Sequence, residues 1–95
     1  MEAREEYLEQ TTAKLEELRP KVWMVKQKAE EMENETRAEY NELFQVLHAK
    51  LKGVGENLRE LEGASEETWQ DLKARVDGAL SDLNNSVGNV LSHMG

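Results

Sequence analysis

Histidines, cysteines and paired carboxylates are the side chains with which a helical chain most readily does chemistry, and here they are sparse or wrongly spaced. His48 and His93 are the only histidines. In helical di-iron sites a ligating histidine follows a glutamate by three positions on one helix, but the corresponding residues are Gln45 and Val90. Cysteine is absent, which excludes both a disulfide framework and a thiolate metal site. Carboxylates are plentiful, yet on acidic helices they form the solvated face, and acid–base work needs an enclosing pocket that so short a chain is not expected to build. Gly53-Val54-Gly55 lacks the second half of a dinucleotide fingerprint and the lysine of a phosphate loop. No metal or cofactor is expected, and no nucleophile arrangement is found. Trp23 and Trp69 are the largest apolar groups, and both are expected to pack into a helix interface rather than stack on a ligand.

The elements that must position these side chains are helices. Charged residues make up 34% of the 95-residue chain against 5% aromatic, with one proline and six glycines, which is a composition of long helices. Low hydropathy and a net charge of -8 also suit a disordered chain, but disordered chains lack the regular apolar spacing seen here. The length bounds the chain to a single helical domain, residues 1–95, with a thin core for which oligomerisation is a natural remedy. MEAREEYLEQ begins the chain with acids where a secretory signal has a basic end and an apolar run, and no stretch approaches the length of a membrane span. The cytoplasm is the expected compartment. The acidic balance repels phosphate backbones and anionic headgroups, so no nucleic-acid partner is expected.

Apolar and small residues fall at Leu8, Thr11, Leu15, Leu18, Val22, Val25, Ala29, Met32 and Thr36, in alternating steps of three and four that define a heptad seam. It continues through Tyr40, Leu43, Leu47, Leu51, Val54, Leu58 and Leu61, with consecutive four-residue steps after Leu43 that read as a stutter. Phe44 and Val46 widen the stripe. Pro20 removes a backbone donor from the first helix, but the seam keeps its phase on either side, so a kink is expected there. Glu17 and Lys21 are spaced for a favourable i,i+4 pair.

From Gly55 the chain also repeats every eleven residues: Leu58, Trp69, Leu80 and Leu91 share one place, Leu61, Leu72, Leu83 and Met94 another, and Ser65, Val76 and Val87 a third. Eleven residues make three turns at about 3.67 per turn, which keeps an apolar stripe in line along a nearly straight helix. At Gly63-Ala64-Ser65-Glu66-Glu67 a glycine suited to a left-handed cap precedes a serine suited to start the next helix. The resulting expectation is an all-α fold, either an antiparallel helical hairpin or a three-helix bundle with coiled-coil packing. In the hairpin, a long helix over about 3–62, kinked at Pro20, packs against one over about 66–92. In the bundle, an extra turn near Asn34 divides the chain into nearly equal thirds. The seam residues Leu8, Leu15, Leu18, Val22, Val25, Tyr40, Leu43, Leu47, Leu51, Leu58, Leu61, Trp69, Leu72, Val76, Leu80, Leu83 and Val87 form the expected interaction surface.

Over most of its length the chain resembles small bacterial coiled-coil proteins associated with stress responses. The resemblance rests on Glu6-Tyr7-Leu8, Arg37-Ala38-Glu39-Tyr40, Leu58 and Leu61, and above all on Ala64-Ser65, Trp69, Asp71-Leu72-Lys73 and Asp82-Leu83. Pro20 and the lysine-poor tail from Asn84 to Gly95 depart from the family pattern. The resemblance implies a stress-associated role with no established catalytic activity or cofactor. Together with the seam it predicts a non-enzymatic scaffold that self-associates or receives a partner helix. An amphipathic protein that adsorbs to a lipid surface or coats macromolecules ranks second, because the tail carries almost none of the lysines that usually flank a lipid-binding face.

Overall fold

The heptad from Leu8 to Thr36 does not belong to one helix. The computed structural model describes residues 2–94, and in it the chain forms α1 (Glu2–Glu31), α2 (Asn34–Glu62) and α3 (Glu66–Met94), with no strand among the described residues. The long helix over 3–62 is therefore replaced by two helices and a reversal, and the three-helix bundle is the observed form. Helices of 30, 29 and 29 residues cover one another along almost their whole length, in a rod measuring 50 × 17 × 16 Å. α2 runs against both neighbours, while α1 and α3 touch least. No described helix is long and apolar enough to cross a membrane.

At the first reversal Met32 N–H donates to the Ala29 carbonyl at 3.1 Å. Glu33 is extended (φ -119°, ψ 149°), and Asn34 takes a left-handed φ of 56°. Asparagine visits that region more readily than other residues with a side chain. Arg37 then reaches back over the end of α1, donating from Nε to the Met32 carbonyl at 3.0 Å and from Nη2 to the Glu30 carbonyl at 3.2 Å, which satisfies acceptors that a helix terminus leaves open. Burial decides the contest between turning and continuing. A straight helix leaves Leu15, Leu18, Val22 and Val25 to water, whereas here each is no more than 5% exposed. At about 1.5–3 kcal/mol per fully buried aliphatic side chain, these four outweigh the roughly 1–2 kcal/mol of one left-handed residue.

Helix α1 runs uninterrupted through Pro20. The lost hydrogen bond and the ring clash cost about 3 kcal/mol in a helix interior. Leu18 and Val22, on either side of the proline, are 2% and 0% exposed, so the buried seam holds the helix across it.

Because α2 starts afresh at Asn34, its apolar phase is not inherited from α1. Phe44 enters the core and Leu43 turns outward, 37% exposed, as does Val46 at 52%. The inward sequence becomes Tyr40, Phe44, Leu47, Leu51, Val54, Leu58 and Leu61, a heptad without a stutter. Thr36, expected on the seam, is exposed.

The second reversal falls where the stop and start signals place it. Gly63 N–H donates to the Glu60 carbonyl at 3.2 Å and Ala64 N–H to the Leu61 carbonyl at 3.1 Å. Gly63 itself has φ -94° and ψ 5°, so the left-handed cap expected of it does not form. Ser65 starts α3: its Oγ accepts from Thr68 N–H at 3.4 Å and its carbonyl from Trp69 N–H at 3.0 Å. The eleven-residue repeat therefore crosses a turn, and Ser65 is an exposed cap rather than a seam residue. Along α3, Trp69, Val76, Leu83 and Val87 are buried, with Leu72, Ala79, Leu80, Val90 and Leu91 packed at the margin. The side chain of Met94 lies outside the described residues.

Candidate functional site

The residues expected to form an interaction seam meet one another inside the bundle. Leu15, Leu18, Val22 and Val25 of α1, Leu47, Leu51, Leu58 and Leu61 of α2, and Trp69, Val76, Leu83 and Val87 of α3 belong to one buried cluster, against which Leu8, Leu72 and Leu80 pack partly buried. Tyr40 is half-buried and Leu43 points away from the core. Coverage of the α1 stripe by a second chain is thus not needed to bury it. Three surface features stand out.

The first joins the N-terminal ends of α1 and α3, which run parallel. Trp69 is 8% exposed, with the Tyr7 ring edge-on at 5.9 Å and 77° and the Arg4 guanidinium 4.1 Å from its ring centre. Arg4 Nη2 also donates to the Ala64 carbonyl at 2.8 Å, so one side chain ties α1 to the α2–α3 turn and covers the indole. Tyr7 donates its hydroxyl proton to Asp77 Oδ1 at 2.5 Å, with the Lys73 carbonyl a second acceptor at 3.3 Å. Lys73 Nζ lies 5.1 Å from the Tyr7 ring centre. Burial, and then the hydrogen bond and negative charge of Asp77, push the phenol up to about 12 against an opposing hydrogen bond from Thr11. This cluster closes the bundle, and the sequence signal for it, Arg4 and Tyr7 one helical turn apart, is visible only once Trp69 is known to sit opposite.

Near the other end of α1 lies an open cluster. Trp23, 42% exposed, packs against Phe44 at 5.0 Å and His48 at 5.6 Å between ring centres, and His48 stacks on Phe44 at 5.4 Å and 22°. His48 is therefore a half-buried packing residue on α2, while His93 sits exposed near the end of α3 with Nδ1 2.9 Å from the Asn89 carbonyl. Beside Trp23 a cleft of about 390 Å³ runs between α1 and α2, lined by Arg19, His48, Lys52, Gly55 and Arg59 among others.

The third feature is apolar and rimmed by acids. Leu43 and Val46 line a shallow depression with Glu39 and Glu42. An adjoining groove between α2 and α3 is lined by Glu39, Tyr40, Leu43, Val90 and His93. Among the described residues no group of three or more acidic or histidine side chains is placed to hold a metal ion.

No family model, curated protein or solved structure matches this chain. Its surface must be read on its own chemistry. The ion pairs carry little of it: Lys14–Glu17, Arg19–Glu16 and Lys28–Glu31, at 3.6–4.0 Å, are all exposed intrahelical pairs, and Glu17 pairs with Lys14 rather than with Lys21. Lys50 differs, because it links α2 to α3 through Asp82 Oδ2 at 2.8 Å and Ser86 Oγ at 3.0 Å. Leu43 was expected on the seam and Val46 as a widening of it; their outward turn follows from the reversal at Asn34.

Proposed function

We propose that this chain is a non-enzymatic helical interaction module of the cytoplasm that receives a helix of a partner protein on the α2–α3 face around Leu43 and Val46. The observation that carries this reading is the exposure of these two aliphatic side chains, 37% and 52%, although the seam is closed within one chain. An apolar stripe between acidic rims suits an amphipathic helix whose apolar residues are flanked by lysine or arginine. Self-association is disfavoured, because a second copy brings the same acids and a further net charge of -8. The likeness in Ala64-Ser65, Trp69 and Asp82-Leu83 supports a stress-associated role, which the abundance of the chain before and after heat or desiccation tests.

A photo-crosslinking residue placed at position 46 in growing cells tests the docking reading, with the same residue at Gln70 as the control. A discrete adduct at 46, absent at 70 and lost when Leu43→Asp is added, is the expected result. An adduct with a second copy of this chain, or equal background at both positions, rejects it. The lipid-surface alternative relies on loose packing of α3. Burial of Trp69, Val76, Leu83 and Val87 counts against it, and a blue shift of Trp69 emission on adding vesicles, in a Trp23→Phe background, would restore it.

A further inference from the structure

Arg19, Lys52 and Arg59 converge on the cleft beside Trp23, with Glu56 the one acid on its wall. Three cations against one anion make this a basic recess on a chain that is strongly acidic as a whole. Arg19 is held by Glu16 at 3.7 Å, whereas among the described residues Lys52 and Arg59 enter no ion pair. Gly55 lines the recess, and a Cβ built there meets no atom within 4 Å, although glycine in a helix interior costs roughly 0.5–1 kcal/mol relative to alanine. Trp23 supplies an aromatic surface that the bundle leaves 42% exposed.

The order of these groups along α2 gives the ligand a direction. His48, against Trp23, marks the aromatic end; Lys52 lies one turn further, about 6 Å at 1.5 Å per residue, and Arg59 lies roughly 16 Å along. Gly55 leaves the path between them open. We propose that this cleft binds a nucleoside polyphosphate, with the planar base against Trp23 and the phosphates along Lys52 and Arg59, aided by Arg19. Aromatic stacking and side-chain cations are sufficient for such recognition without a phosphate loop. A long nucleic-acid strand fits poorly, since beyond the cleft it meets an acidic surface.

Nuclear magnetic resonance titration of the full chain, labelled with nitrogen-15 in magnesium-free buffer, provides the test. ATP is expected to shift the Trp23 indole and Gly55 amide signals saturably, and to bind at least about tenfold more tightly than AMP, since a charge-assisted phosphate contact is worth that factor or more. Inorganic triphosphate is expected to leave the Trp23 indole in place. Lys52→Ala with Arg59→Ala is expected to weaken ATP binding at least about tenfold at unchanged helicity, and Gly55→Leu to block it. Should Gly55→Leu fail to fold, the Lys52 and Arg59 changes, both on exposed side chains, decide the matter alone. The proposal is overturned by absence of a saturable shift, by equal affinity for ATP and AMP, by ATP binding that survives the double change, or by an oligonucleotide that binds more tightly than ATP.

Discussion

The two tryptophans occupy helices of the same bundle and meet opposite fates. Trp69 is capped by Arg4, edged by Tyr7 and 8% exposed; Trp23 packs on Phe44 and His48 but remains 42% exposed beside an open cleft. Heptad position explains the difference. Trp69 takes a core place on α3, level with the start of α1, so cross-helix partners close over it. Trp23 follows the fully buried Val22 on α1, a flanking place that reaches the groove between α1 and α2 without entering the core. A large ring at a core place holds helices together, whereas the same ring one residue along leaves surface for another molecule.

The largest difference between the two rings is expected on truncation. Trp69→Ala is expected to destabilise by about 3–5 kcal/mol, the range for a buried aromatic cut to alanine. Trp23→Ala should cost no more than about 1–2 kcal/mol, because much of its surface already faces water. Urea unfolding followed by circular dichroism reads both. Equal losses would mean that the two clusters are structurally equivalent.

A smaller effect, with a distinctive pH dependence, belongs to the Tyr7 hydroxyl. Its pKa in the fold is raised to about 12 from about 10 in an unfolded chain, so the folded state holds a proton that the unfolded state releases. The associated stabilisation is fully present below pH 10 and is lost as pH rises towards 12. Tyr7→Phe removes the bond to Asp77, with a cost of about 1 kcal/mol near neutrality. The difference between parent and variant should therefore shrink between pH 10 and 12, and a tyrosinate absorbance step near pH 12 should vanish in the variant. A constant difference across that range would detach Tyr7 from the closure of this end.

The all-helical architecture and most of the core were legible from periodicity, because burial at steps of three and four survives a wrong division into helices. Leu15, Leu18, Val22 and Val25 are core residues whether α1 stops at Glu31 or continues. What periodicity could not decide was whether the chain turns near Asn34, as in the bundle, or runs on, as in the hairpin. The signal for the turn is a single asparagine, and the acceptors it leaves open are closed by Arg37, five and seven residues beyond them. Carrying the α1 phase through that point displaced the phase of α2 and hid the exchange of Phe44 for Leu43. The two aromatic clusters were illegible for a related reason: Arg4 over Trp69 and Trp23 against His48 are contacts between helices, and their pairing depends on where the chain turns.

Gly55→Ala probes the open side of the bundle. The position lies inside α2 with free space around the missing Cβ, so alanine should stabilise the bundle by about 0.5–1 kcal/mol. A melting temperature that falls instead would mean that the backbone at Gly55 needs glycine for a reason other than packing, and that the cleft differs in shape from the one described.

The smallest effect is expected at Gly63, beside the carbonyl that Arg4 grips at the closed end. A glycine ending a helix before a serine cap reads as a left-handed residue, for which alanine would be strained and cost on the order of 1 kcal/mol or more. Here φ is -94° and ψ 5°, a conformation open to any residue with a side chain. A Cβ at Gly63 would come no nearer than 3.9 Å to the Glu60 carbonyl oxygen, an ordinary contact. Gly63→Ala should therefore lie within about 0.5 kcal/mol of the parent, as surface changes usually do, and should leave the emission of Trp69 unmoved. A loss above about 1 kcal/mol, accompanied by a red shift of that emission, would show that the turn depends on the left-handed cap and that Arg4 reaches Ala64 only through it.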